Sequence, residues 1–152
     1  MKKLLSLAVL ASVLFALPAF AADPVVGTWK LNVAKSKFGG PALKASIRTY
    51  SEANGVYTLE QKLTAADGKE SSTKTTYRDG KEEKQPAGSP GDAVLAKKVD
   101  ANTWNFELKK DGKTIGQVHR VVSADGKTLT VENKGAKLSG AAGDETLVFD
   151  KQ

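Results

Sequence analysis

Cysteine is absent from all 152 residues, histidine occurs once, and the single methionine is Met1. Without cysteine there is no disulfide framework and no thiolate metal site. One histidine, His119, cannot complete a zinc set. As a general base it would need a nucleophile or second ligand, and the sequence places neither, so it reads as a strand residue beside Arg120. Long hydrophobic runs are missing after residue 21, which excludes a helical membrane span there. Helical periodicity is missing from the same stretch, and what remains is strand and turn.

The one long apolar run lies at the start. Lys2 and Lys3 precede residues 4–17, which are apolar except for Ser6 and Ser12. Ala19-Phe20-Ala21 then offers small residues at the −3 and −1 positions of a cleavage site. The expectation is a cleavable signal peptide over 1–21, a single domain over 22–152, and a periplasmic or secreted destination. No cysteine follows the run to carry a lipid. Lysine and arginine number 23 against 17 acidic residues; without Lys2 and Lys3 the excess falls to four. The lysines are scattered, which reads as a solvated surface with no nucleic-acid partner.

Glycine supplies the main pattern. Asn54-Gly55, Asp67-Gly68, Asp79-Gly80, Asp111-Gly112 and Asp125-Gly126 recur at spacings of 13, 12, 32 and 14 residues. Asn-Gly and Asp-Gly between alternating segments signal hairpins, because a type I′ turn needs positive φ at both central residues. Consecutive hairpins build an antiparallel meander, which must close into a barrel or stack as a sandwich.

Alternation between these turns assigns faces. Val25, Gly27, Trp29, Leu31 and Val33 share one face of the first strand. Leu43, Ala45 and Ile47 are expected inward on the second, with Lys44, Ser46 and Arg48 opposite. Tyr57, Leu59, Gln61 and Leu63 share a face of the third. Ser71, Thr73, Thr75 and Tyr77 line one face of a fourth strand that has almost no apolar side, as suits an edge or a wet cavity. The 32-residue gap holds a short charged segment near 81–85 and the proline-rich loop 86–91, which marks an edge. Ala93, Leu95 and Val99 then share a side of the next strand. Trp104, Phe106 and Leu108 alternate cleanly after it. Phe38, the last residue of a helical turn expected at 34–38, is expected to plug one end.

Gly27-Thr28-Trp29 on a first strand resembles the Gly-x-Trp signature of the calycin superfamily, the lipocalins and fatty-acid-binding proteins. The run from Gly27 to Phe38 is also similar to a family of small exported bacterial proteins. So are Val99-Asp100-Ala101-Asn102-Thr103, the stretch from Arg120 to Thr130, and Phe149-Asp150-Lys151-Gln152. The resemblance implies a lipocalin-like, all-β, antiparallel up-and-down barrel of 8–10 strands. The Arg-x-Tyr carboxylate clamp that fatty-acid-binding proteins carry on the last strand is replaced here by Leu147 and Phe149. The helical lid of those proteins is reduced to the few residues between 32 and 44.

Other chemistry is excluded by spacing. Gly112-Lys113-Thr114 and Gly126-Lys127-Thr128 mimic the end of a phosphate-binding loop, but glycine is missing five positions earlier, at Glu107 and Val121. Both triplets also open strands, not helices. No nucleophile elbow is present.

The leading expectation is therefore a non-enzymatic, monomeric carrier of a small apolar or amphipathic ligand, with no cofactor and no metal. Its candidate ligand-binding residues are Trp29, Tyr57, Gln61, Thr75, Tyr77, Trp104, Phe106 and Arg120. If its face points inward, Arg120 is the anion-binding group; a surface salt bridge is the alternative. A second reading is an interaction module with a filled core, which requires a cavity below roughly 100 Å³ because ligand pockets start at about 300 Å³. A barrel-type isomerase or hydrolase using His119 is the third.

Overall fold

The computed structural model describes residues 22–136, 138 and 143–152. The export signal expected over 1–21 lies outside the described residues. Ten strands follow in order: β1 Gly27–Leu31, β2 Ala45–Ala53, β3 Val56–Thr64, β4 Glu70–Tyr77, β5 Glu82–Lys84, β6 Ala93–Lys98, β7 Thr103–Lys110, β8 Lys113–Val122, β9 Thr128–Lys134 and β10 Glu145–Lys151. A 3-10 turn, Val33–Lys35, follows β1, and Asn32 caps it by accepting a bond from the Lys35 amide at 3.1 Å. Among the described residues, no helix is long and apolar enough to cross a membrane.

All ten strands form one antiparallel sheet in the order β4-β3-β2-β1-β10-β9-β8-β7-β6-β5. Every strand pairs with its sequence neighbour except β4 with β5, and β1 pairs with β10 instead. The meander is thus a ring cut between β4 and β5. The cut is stitched at one end only. There Gly80 donates its amide to the Ala96 carbonyl at 2.8 Å, and Asp79 Oδ1 accepts from the Lys98 amide at 2.8 Å. Arg78 pairs with Glu83 across the same corner. Farther along, only the Gln85 side chain reaches β4, at the Thr76 carbonyl, 3.0 Å away.

The turns divide into two kinds. Asn54 and Asp111 have φ of 54° and 51°, each followed by a positive-φ glycine, as a two-residue I′ hairpin requires. At Asp67-Gly68, Asp79-Gly80 and Asp125-Gly126 only the glycine is positive. Asp67 and Asp125 instead accept the backbone amides of Lys69 and Lys127, both at 3.0 Å, so aspartate fixes these loops through its side chain. The common sequence signal therefore hides two turn geometries.

Three face expectations are corrected. On β2 the inward residues are Ser46, Arg48 and Tyr50, while Ile47 is 43% exposed. Directly paired antiparallel residues share a face, and Trp29 pairs with Arg48, so a buried Trp29 carries Arg48 inside. The apolar spacing Leu43-Ala45-Ile47 breaks before Tyr50, and the Tyr50 phase prevails; Leu43 is buried ahead of the strand. On β6 the inward residues are Val94 and Ala96, and Val99 faces solvent. Val33 is exposed because the chain has left β1 for the 3-10 turn.

Glycine at 116 has a packing cause. A Cβ there would stand 2.5 Å from the Ala136 Cβ, where β8 bulges opposite Leu108 and Lys109. Only glycine admits the 136 backbone this close. The core is one continuous cluster centred on Trp29, Trp104, Leu129, Leu147 and Phe149, with Phe38 packed partly buried against it.

Candidate ligand-binding site

One end of the barrel is shut by side chains. Trp29 is fully buried and donates its indole N–H to the Val25 carbonyl at 2.7 Å, tying β1 to the segment before it. Beside it, Asp23 accepts the Tyr57 hydroxyl at 2.8 Å and the Lys98 ammonium at 2.7 Å. Burial raises the Asp23 pKa, but the bonds from Lys98, Tyr57 and the Val25 amide outweigh it, and the carboxyl is held below its ordinary value. The partners respond in kind: the carboxylate raises Lys98, while burial and then Asp23 raise Tyr57.

This cluster yields a pH prediction. A carboxyl whose pKa falls on folding stabilises the fold above its unfolded value of about 4 and loses that contribution as pH drops through the folded value. Asp23→Asn is expected to lower Tm at neutral pH, with the gap to the parent closing below about pH 4. Thermal melts of both proteins across that range check it; a gap independent of pH would show that Asp23 acts by packing alone.

Above the Tyr57–Trp104 floor the barrel contains a cavity of about 410 Å³. Its walls are apolar at Leu59, Leu63, Val94, Phe106 and Leu108, and polar along β4 at Ser71, Thr73 and Thr75. The loop carrying Gly88, Ser89, Pro90 and Gly91 covers the open side, beside the unstitched part of the β4–β5 seam. Gly91 is needed there, because a Cβ would meet the Lys109 carbonyl oxygen at 2.3 Å.

Arg120 enters from β8 and crosses the lumen. It is 3% exposed and donates Nη1–H to the Tyr77 hydroxyl at 2.7 Å. Its Cζ lies 5.0 Å from the Tyr50 and Phe106 ring centroids, 5.4 Å from Tyr77 and 5.5 Å from Trp104. Those ring faces attract a cation. They provide no acceptor for Nε and Nη2, which are buried without hydrogen-bond partners. Burial works against the guanidinium charge, yet the Tyr77 and Tyr50 hydroxyls reverse the balance and its pKa moves upward. Burial also raises the Tyr77 phenol far above its ordinary value, with Arg120 opposing. At any working pH the pair is a cation beside a neutral phenol.

A second cation was not expected here. Arg48 is 4% exposed, its Cζ stands 4.6 Å from the Phe149 ring centroid, and its Nε has no partner. Arg48-Thr49-Tyr50 thus places on β2 the Arg-x-Tyr spacing that β10 lacks. The signal was available in the alternation of Arg48 with Tyr50, but it ran against the apolar phase of Ile47.

Of the eight candidate residues, Gln61, Thr75, Tyr77, Phe106 and Arg120 line the cavity. Trp29, Tyr57 and Trp104 lie below it in the floor and do not line it. Arg48, Tyr50, Leu59, Leu63 and the 88–91 loop line it without having been chosen. His119 faces outward and hydrogen-bonds Asn105 at 2.7 Å. Among the described residues, no group of three histidine, cysteine, aspartate or glutamate side chains is placed to hold a metal.

The fold has many solved counterparts. A Schistosoma mansoni fatty acid binding protein in complex with arachidonic acid superposes with a TM-score of 0.61 at 13% identity, covering 85% of this chain and 96% of that one. As-p18, an extracellular fatty acid binding protein, gives 0.58 at 15% identity over 86% and 97%. Zebrafish ileal bile acid-binding protein complexed with cholic acid gives 0.55 at 8% over 85% and 99%. These likenesses establish the architecture: a ten-stranded antiparallel barrel with the fold of those fatty acid and bile acid binding proteins. No family profile and no curated protein sequence matches the chain.

Proposed function

We propose that this protein is an exported carrier of a small amphipathic anion, held inside the barrel with its polar end at Arg120. The observation that carries the reading is the buried Arg120 guanidinium, with two donors unpartnered on a 410 Å³ cavity. A buried charge without a counter-ion is costly, and a ligand acid supplies the missing acceptor. Leu59, Leu63, Val94 and Leu108 offer the tail an apolar wall. The cavity volume favours a carrier over an interaction module with a filled core. That the three solved counterparts named above are fatty acid and bile acid binding proteins supports a carrier over a catalyst. The basic and apolar N-terminal run, and the likeness of residues 27–38 to small exported bacterial proteins, support export.

Trp104 packs against both Phe106 and the Arg120 guanidinium, so its fluorescence reports on the cavity. Titration with dodecanoate is expected to change that emission saturably, and the uncharged methyl ester is expected to bind more weakly. No saturable change with any acid of six to eighteen carbons would contradict the reading.

A further inference from the structure

Elsewhere in this barrel, several charges that are still partly exposed are already paired within the chain. Asp23 meets Lys98, Arg78 meets Glu83, and Lys109 meets Glu82 at 2.5 Å. The cavity departs from this habit twice. Arg48 and Arg120 both line it, both are more than nine-tenths buried, and both leave buried donor nitrogens without acceptors, Nε on Arg48 and Nε and Nη2 on Arg120. Among the described residues, no aspartate or glutamate lines the space. Its other polar groups are neutral hydroxyls and amides, such as Gln61, Thr73 and Thr75.

The two cations act on one region. Arg48 and Tyr50 are two residues apart on the inward face of β2, about 7 Å along the strand. Arg120 reaches that same Tyr50 ring from β8. Across the sheet, Arg48 pairs with Gln61, which pairs with Thr73, so neutral hydrogen-bonding groups flank it on the next two strands. One negative charge placed here would leave the low-dielectric lumen with a net positive charge still unbalanced.

We infer that the ligand carries two negative charges at its polar end, facing Arg48 and Arg120 together, with an apolar tail. This rests on the carrier reading and names its ligand class: a doubly anionic amphiphile, either a compact dicarboxylate or a phosphate monoester. Both head groups satisfy guanidinium edges with several acceptor oxygens.

The test is calorimetric titration with three twelve-carbon probes: dodecanoate, dodecylsuccinate and dodecyl phosphate. One or both doubly charged probes are expected to bind at least about tenfold tighter than dodecanoate, and which one does so identifies the source of the charge. In Arg48→Gln that preference is expected to shrink to within about threefold. A second arm needs no variant. With the parent protein, dodecyl phosphate is expected to weaken several-fold between about pH 7.5 and about pH 5.5, as the second phosphate proton returns near about 6. Dodecanoate binding as tightly as both other probes would overturn the inference while leaving the carrier intact. So would a tenfold preference that survives Arg48→Gln or, where dodecyl phosphate is a preferred probe, a flat pH profile for it. Failure of all three probes to bind would remove the carrier reading as well.

Discussion

Arg120→Met is expected to reduce affinity for anionic amphiphiles by about 30-fold or more, while the empty barrel unfolds at the same temperature or higher. The two halves of this result come from one fact. A guanidinium that is 3% exposed, with Nε and Nη2 unpartnered, carries a desolvation cost that one bond to Tyr77 and four aromatic faces only partly offset. Replacing buried ionic groups with apolar ones of similar volume is often neutral or stabilising by about 1–4 kcal/mol. Removing one partner of a buried, hydrogen-bonded charge pair in a complex costs about 2–5 kcal/mol, which corresponds to the expected loss in affinity. Paired measurements of Tm and of dodecanoate affinity separate the roles. A large drop in Tm with affinity preserved would make Arg120 a structural strut and remove it from the site.

Trp29→Ala is expected to have the largest effect on stability, about 3–5 kcal/mol. Trp29 is 0% exposed, plugs the shut end and bonds the Val25 carbonyl, and its backbone neighbours on either side belong to β2 and β10. The β10 pairing joins the first strand to the last, so the residue anchors the element that makes the ring continuous. With total stability for such a domain at about 5–15 kcal/mol, the loss would bring the barrel near its threshold. Trp29→Phe keeps most of the packing and forfeits mainly the indole bond, a loss of about 1 kcal/mol. Denaturant unfolding of both variants measures the difference; equal losses would show that the bond, not the volume, holds the end closed.

Most of the ten strands were legible, and the clearest boundaries are the ones that turn residues mark. Asn54-Gly55 and Asp111-Gly112 fix two-residue hairpins, and Trp104-Phe106-Leu108 shows its phase without ambiguity. The β1–β10 pairing that closes the ring was not legible in periodicity; it entered through Gly27-Thr28-Trp29 and the calycin resemblance. Face assignment failed where long-range register overruled a weak local pattern. On β2 the phase of Ala45 and Ile47 yields to the pairing of Arg48 with buried Trp29 and to the burial of Tyr50, and Arg48 goes inside. The same failure hid half of the polar site. The polar face of β4 was legible as cavity lining or edge, and it is both, because the seam between β4 and β5 opens alongside the cavity. The aromatic candidates divided by depth, which alternation cannot reveal: Phe106 reaches the cavity, while Trp104, two residues away on the same face, lies beneath it.

The proposed function turns on Arg48 and Arg120 holding an acid inside the barrel. Native mass spectrometry of the protein isolated from the cells that make it, under conditions that keep complexes intact, tests this most directly. A retained mass is expected that leaves on collisional activation as an anion with an apolar body, and that is absent from Arg120→Met prepared in the same way. A parent protein carrying only its polypeptide mass, and still taking up no added dodecanoate, dodecylsuccinate or dodecyl phosphate, would contradict it.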